Sequence, residues 1–320
     1  MPGWSPSLKN LLHPLQSRPL QVCLQLGLAA VLLWLWGRNL SWPHLARLIQ
    51  PHEIGWLPAV IALALAGSVL RAWRWRLIVG RQSHLGIFRA FLINEGANLV
   101  NILIPARLGD LLRMFWLRRW CRLPTGGGAG MVMADHALEL GVATVMLTVA
   151  AVAYLATHGA SVAGLSLAAD AGGALVLLTL LGASILFAPR LVMSAKLQSI
   201  VPAKMAAWLV EHGRHFAQAG PARLSPGRAA AGGALTFGAF GLDALMLSSL
   251  FASLGLSLPV LHSLAVCLAL VPGYALPSPG GFGPVELIGT FAVQAGGGVA
   301  ATAAAAGVLA FHLAGIVITL

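Results

Sequence analysis

The sequence predicts an all-α fold, a polytopic transmembrane helical bundle with two re-entrant hairpins arranged as an inverted repeat. Hydrophobic residues make up 58% of the 320-residue chain and charged residues only 9%, with a mean hydropathy of +0.84. A soluble domain carries roughly a quarter charged residues. The apolar residues fall in runs of the length that crosses a bilayer, about 20 residues per helix. Two Pro/Gly-rich breaks, at Pro105–Asp110 and Pro277–Glu286, interrupt that pattern at corresponding places. The chain therefore reads as one integral membrane domain over 1–320. Its halves cover about 20–188 and 229–320, joined by a polar stretch, 189–228.

Lys9 and Arg18 precede the first apolar run, which ends in Trp34, Trp36, Gly37 and Arg38 with no small-x-small cleavage pattern. A retained first transmembrane helix over about 20–37 follows from this. The second span covers about 54–71. Trp73 and Trp75, set among Arg71, Arg74 and Arg76, read as an interfacial anchor beyond its end. A shorter apolar segment, 88–104, carries Asn94, Glu95, Asn98 and Asn101 and ends at Pro105. Longer apolar segments follow at 127–156 and 172–188. Within the polar stretch, 203–218 places Met205, Trp208, Leu209 and Phe216 near one face, which fits an amphipathic surface helix or a solvated loop equally. The last third is almost continuously apolar, with runs at 229–254, 259–276, 281–296 and 299–320.

Charge sets the expected orientation. Of the 20 Lys and Arg residues, 16 fall in three clusters: 71–89, 107–122 and 190–228. Basic loops stay on the cytoplasmic side, so the N-terminus and the 189–228 stretch are expected to be cytoplasmic, in a plasma (inner) membrane. The 157–171 connection has no Lys or Arg and is expected outside. Segment 88–104 has five arginines on either side, so a hairpin that enters and leaves from the cytoplasm is expected there rather than a crossing. Asn94, Asn98 and Asn101 share one helical face, tolerated at membrane depth only inside protein or against a watery cavity. From Ala229 to Leu320 there is no Lys or Arg, and the rule is silent.

The net charge of +11 is accounted for by these loops and by attraction to anionic lipid, not by nucleic acid. Cys23, Cys121 and Cys267 are far apart and form neither a disulfide framework nor a zinc pattern. Gly126–Gly130 is not followed by G-K-[ST], and Glu211-His212 with His215 lacks H-E-x-x-H spacing. No metal or cofactor is expected.

Chemistry is expected where the helices break. Interrupted apolar segments at matching places in two halves point to a transporter site. Each break has a Pro, a Gly four residues on, and an acid soon after. Gly280, Gly281 and Gly283 leave backbone N–H groups open, and such nests at a helix start bind phosphate. Arg107 and Arg113 supply charge-assisted donors. Asp110 and Glu286 are placed to pair with those arginines or to meet a headgroup ammonium. For Asp110 and Arg113 the alternative is an i,i+3 surface pair. Asp135 and Glu139, one turn apart with His136 between them, are candidates as intramembrane ionisable groups. Asp243 is either the buried partner of an arginine or a site residue.

Three stretches carry a family resemblance: L-R-A-W-R-W-R-L at 70–77, N-x-x-x-P-A-R-L-G-D-x-x-R from Asn101 to Arg113, and P-S-P-G-G-F-G-P-V-E from Pro277 to Glu286. The chain resembles the transmembrane region of lysylphosphatidylglycerol synthase, a family of flippase-like membrane proteins. That family typically shows P-G-R-x-G-E and P-x-P-G-G-x-G-x-x-E at the last two. Here Ala106 stands for a usual Gly and Asp110 for a usual Glu. Where the family often has E-R-x-x-D, Asp135-His136-Ala137-Leu138-Glu139 exchanges the acids and lacks the arginine. The resemblance implies lipid translocation or an accessory role in a lipid pathway. It implies no lipid aminoacylation by this chain, since no polar stretch exceeds 189–228. The expected substrate is an anionic phospholipid or polyprenyl-phosphate lipid, held by Arg107, Arg113 and the Gly280–Gly283 loop and passing a groove lined by Asn94, Asn98 and Asn101. The alternatives are a non-transporting accessory subunit presenting lipid to a glycosyltransferase or lipid-modifying enzyme and, least expected, an enzyme acting on a lipid phosphate.

Overall fold

The structure, a computed structural model, describes residues 18–38, 40–43, 57–80, 85–103, 108–158, 214–215, 218, 224–276 and 278–319. Among these residues the fold is all helical, with nine α-helices. They are α1 (Arg18–Gly37), α2 (Leu57–Val79), α3 (Ile87–Leu103), α4 (Leu108–Cys121) and α5 (Thr125–His158) in the first half. The second half contributes α6 (Pro226–Ser253), α7 (Val260–Ala275), α8 (Pro284–Gly297) and α9 (Ala301–Thr319), with a 3-10 turn at Pro279–Gly281 before α8. Among the described residues four segments are long and apolar enough to cross a membrane: Leu57–Val79, Gly126–Ala150, Pro226–Ser253 and Ala301–Thr319. The chain is a multi-pass membrane protein.

Helices α2 and α6, one from each half, make the most extensive contact among these elements. α6 begins where the Ser225 side chain accepts from Arg228 N and Pro226 occupies the first turn, a start that uses the donors a helix leaves open. α9 packs on α6 by means of small residues. A Cβ on Gly307 would come within 2.2 Å of the Phe251 ring, so the absence of a side chain there sets the approach. Phe251, Leu247, Leu270, Val285, Val293, Ala304 and Val308 form one core. A second, under the first half, gathers Trp75, Ile93, Leu117, Val132 and Ala134.

Three sequence expectations change. The second span does not end near residue 71: α2 runs on to Val79, with Arg74 and Trp75 buried and only Trp73 and Arg76 facing out. Half of the expected interfacial anchor is therefore interior. Segment 88–104 is one continuous helix rather than a hairpin in itself. The returning limb is α4, a helix in what reads as an arginine-rich loop, which packs back along α3 with Gly109 against Ala97 and Arg113 on Asn94. The 172–188 segment lies outside the described residues, as does 203–218 apart from 214–215 and 218.

Candidate functional site

Buried arginines organise the first half of the site. Arg74 projects from α2, 3% exposed, towards α5 and α6. Its Nε donates to Asp135 Oδ1 at 2.7 Å, its Nη2 to Glu139 Oε2 at 3.1 Å, and its Nη1 to Thr236 Oγ1 at 3.2 Å. One planar guanidinium thus ties three helices, which a point-charge lysine cannot do with the same geometry. Asp135 is shared: Arg113 of α4 donates Nη1 to its Oδ2 at 3.2 Å. Arg113 Nη2 donates to Asn94 Oδ1 on α3 at 2.8 Å, and its guanidinium lies over the Trp75 ring at 5.4 Å. Asn94 Nδ2 in turn donates to Glu95 Oε1 at 2.9 Å. One turn before Arg74, Arg71 pairs with Asp243 of α6. These charges sit where water is scarce, and pairing is what makes them tolerable there.

Asp110, in the first turn of α4, meets His136 Nε2 of α5 at 3.1 Å. Its distance to Arg113 is 3.9 Å, and Arg113 is 7% exposed. The two are therefore not the surface pair that their i,i+3 spacing allows. Asn101 closes the α3–α4 hairpin: its Oδ1 accepts from Gly109 N at 2.8 Å, capping α4 from the preceding helix. Asn94, Asn98 and Asn101 share a face, as expected, but Asn94 and Asn101 hold protein groups there; Asn98 is half-buried on the same helix.

The second break is built on glycine geometry. Gly280, Gly281 and Gly283 have φ of 58°, 82° and 94°, a region L side chains rarely adopt. A Cβ on Gly283 would also lie 2.9 Å from Leu32 and 3.0 Å from Ala29 O, so α1 packs directly on the break. The N–H groups of this loop turn inward. Gly281 N donates to Ser278 O at 3.2 Å and Gly283 N to Glu286 Oε2 at 2.7 Å. The expected open nest for an anion is corrected at these two glycines, because the loop and the third residue of α8 take up their donors. Glu286 itself is wholly buried and pairs with His312 of α9, not with an arginine.

The second break meets the end of α3. A Cβ on Gly280 would stand 3.6 Å from the Cα of Ile102, in the last turn of α3. Residues 104–107, including Arg107, lie outside the described residues.

Residues 22–320 match the lysylphosphatidylglycerol synthase TM region. The chain belongs to that family. No curated protein and no solved structure matches it. The family is one of membrane proteins associated with lipid modification and transport. All three stretches that carry the resemblance fall within the match, and the structure places the described residues of each. In L-R-A-W-R-W-R-L, Arg71 and Arg74 are the interior cations. In the second stretch, Asn101 and Gly109 join the two limbs of the first hairpin. In the third, the glycines and Glu286 shape the second break. At the motif position of the missing arginine His136 meets Asp110, while the cation between Asp135 and Glu139 is Arg74, from a helix more than sixty residues earlier. Sequence reading assigned Arg74 to the interface and so missed it. The available signal was the i,i+3 pair Arg71 and Arg74 with an i,i+4 acid pair at Asp135 and Glu139, complementary in charge and each on one helical face.

Proposed function

We propose that this chain is a flippase-like integral membrane protein that moves or binds an anionic phospholipid or a polyprenyl-phosphate lipid, and that it is not an enzyme. In this reading α3–α4 and α7–α8 are two re-entrant hairpins of an inverted repeat, with 189–228 on the cytoplasmic side of the plasma membrane. The contact of the second break with the end of α3, Gly280 against Ile102, carries the reading. Limb length supports it. The four limbs have 17, 14, 16 and 14 residues, about 21–26 Å at the helical rise. That falls short of a hydrocarbon core of about 30 Å. Broken helices with polar groups at the break are the arrangement in which a headgroup can sit at membrane depth.

Within this site Arg107 takes the headgroup phosphate. Arg113 is committed through both Nη atoms to Asp135 and Asn94, and its Nε is the donor without a protein partner. Purified protein in liposomes should move a fluorescent anionic phospholipid or a polyprenyl phosphate between leaflets. Arg107→Ala should slow this at least tenfold, the loss of one charge-assisted bond of roughly 1.5–3 kcal/mol. No movement of either lipid by folded protein would sink the proposal. Lipid retained through purification but not moved would make the chain an accessory subunit that presents it to a glycosyltransferase or lipid-modifying enzyme.

A further inference from the structure

The pair formed by Glu286 and His312 has a donor and acceptor count that is satisfied only when a single proton lies between them. His312 Nε2 stands 2.7 Å from Gly280 O. A carbonyl oxygen only accepts, so Nε2 carries a hydrogen. His312 Nδ1 stands 2.5 Å from Glu286 Oε1, while the other carboxylate oxygen accepts from Gly283 N. One proton must lie between Nδ1 and Oε1. Whether the imidazolium donates to a carboxylate or a neutral acid donates to the imidazole, the pair holds that single proton and is neutral overall. Without it, a carboxylate oxygen faces a nitrogen lone pair, and a bare charge is left on a side chain of 0% exposure. That is a costly state in an apolar interior.

The surroundings offer no substitute for the proton. From Ala229 to Leu320 the chain has no Lys or Arg. The Tyr274 ring of α7 stands edge-on to His312 at 6.0 Å, and the Phe282 ring covers it at 4.7 Å. The other titratable groups of α7 are Cys267, in the apolar core, and His262, which meets Ala292 O. The helices packed on α9 besides α8 are α6, α2 and α3. The charged groups they carry into the interior are Arg71, Arg74, Glu95 and Asp243, and each already holds another side chain. The pair is also the clamp on the second break: His312 grips Gly280 at its start, and Glu286 grips Gly283 at its end.

We infer that Glu286 and His312 share one proton that latches the 278–283 break to α9, and that the break opens when this proton leaves. The inference goes beyond lipid movement and stands on the hydrogen-bond count alone. It gives the contact between the second break and the end of α3 a control, since Gly280 is both the residue that His312 holds and the one that meets Ile102.

The test is thiol labelling of the full chain in detergent, with Cys23, Cys121 and Cys267 replaced by Ala and Ser278→Cys introduced. Ser278 Oγ is buried and has no partner, so the thiol displaces no bond. Its maleimide labelling rate, divided at each pH by that of free glutathione to remove thiol chemistry, should rise at least tenfold between pH 5.5 and 9. Glu286→Gln should stay slow and flat, because its amide can donate to Nδ1 and still accept from Gly283 N, as the protonated acid does. A flat normalised rate in the parent overturns the latch, and so does a rise that survives Glu286→Gln. Should Glu286→Gln not fold, the parent profile alone decides. Lipid movement is not needed for the readout, so a failed transport assay with pH-dependent labelling leaves the latch and removes only the proposed function.

Discussion

Arg74→Ala is expected to cost about 3–5 kcal/mol of stability, the range found when one member of a buried ion pair is removed. The reason is asymmetry. The guanidinium leaves, but Asp135, at 2% exposure, remains. Arg113 still reaches it at 3.2 Å, which keeps the loss from being larger. Glu139 loses its direct partner, although 31% of its side chain is exposed and water can take up part of its charge. Thr236 loses a donor but already gives its own hydroxyl hydrogen to Gly232 O, so its share is small. Arg74→Lys should fall between the parent and Arg74→Ala, since an ammonium keeps the charge without the fork that spans three helices. Size-exclusion monitoring of folded protein after heating in detergent gives the ranking. An Arg74→Ala protein as stable as the parent would mean that the three contacts do not hold the bundle together.

The same arginine marks where sequence reading stops. Hydropathy located the helices well because a bilayer-length apolar run has few other uses: 229–254 became Pro226–Ser253 and 299–320 became Ala301–Thr319. It failed at the end of α2 and at α4 for one shared reason. A window average counts Arg71, Arg74 and Arg113 as evidence for water, whereas each is turned inward and neutralised by an acid from a distant helix. Such pairing is a tertiary fact. The motifs fared better than the roles given to them. Asn101, Gly109, Asp110 and the Pro277–Glu286 run are all at the breaks, as their composition implies. Yet Asn101 holds a backbone N–H and Glu286 a histidine, because α4 and α9 come close enough to claim them. Spacing reveals which residues are special without revealing what will arrive beside them.

Gly109 gives the second large effect, and its cause is backbone rather than charge. It lies inside α4 with ordinary helical geometry, so flexibility is not its purpose. A Cβ there would stand 2.0 Å from Ala97 O, a backbone atom of α3, and 2.7 Å from Asn101 Oδ1. Neither α3 nor α4 can yield by turning a side chain, so Gly109→Ala must push the hairpin limbs apart. Overpacking of this kind costs about 1–3 kcal/mol or more, and the same displacement stretches the 2.8 Å bond from Gly109 N to Asn101. Asn101→Ala alone should cost about 0.5–2 kcal/mol, as loss of a helix cap does. The double variant should therefore be less damaged than the two losses added together, by at least 0.5 kcal/mol, since the bond can be lost only once. It should still be less stable than Asn101→Ala, because the clash with Ala97 O remains. Unfolding midpoints of the four proteins in one detergent test this. Strict additivity would show that Asn101 and Gly109 act separately. A Gly109→Ala protein with parental stability would show that α3 and α4 do not approach as closely as the hairpin requires, and the contact of the second break with the end of α3 would lose its footing with it.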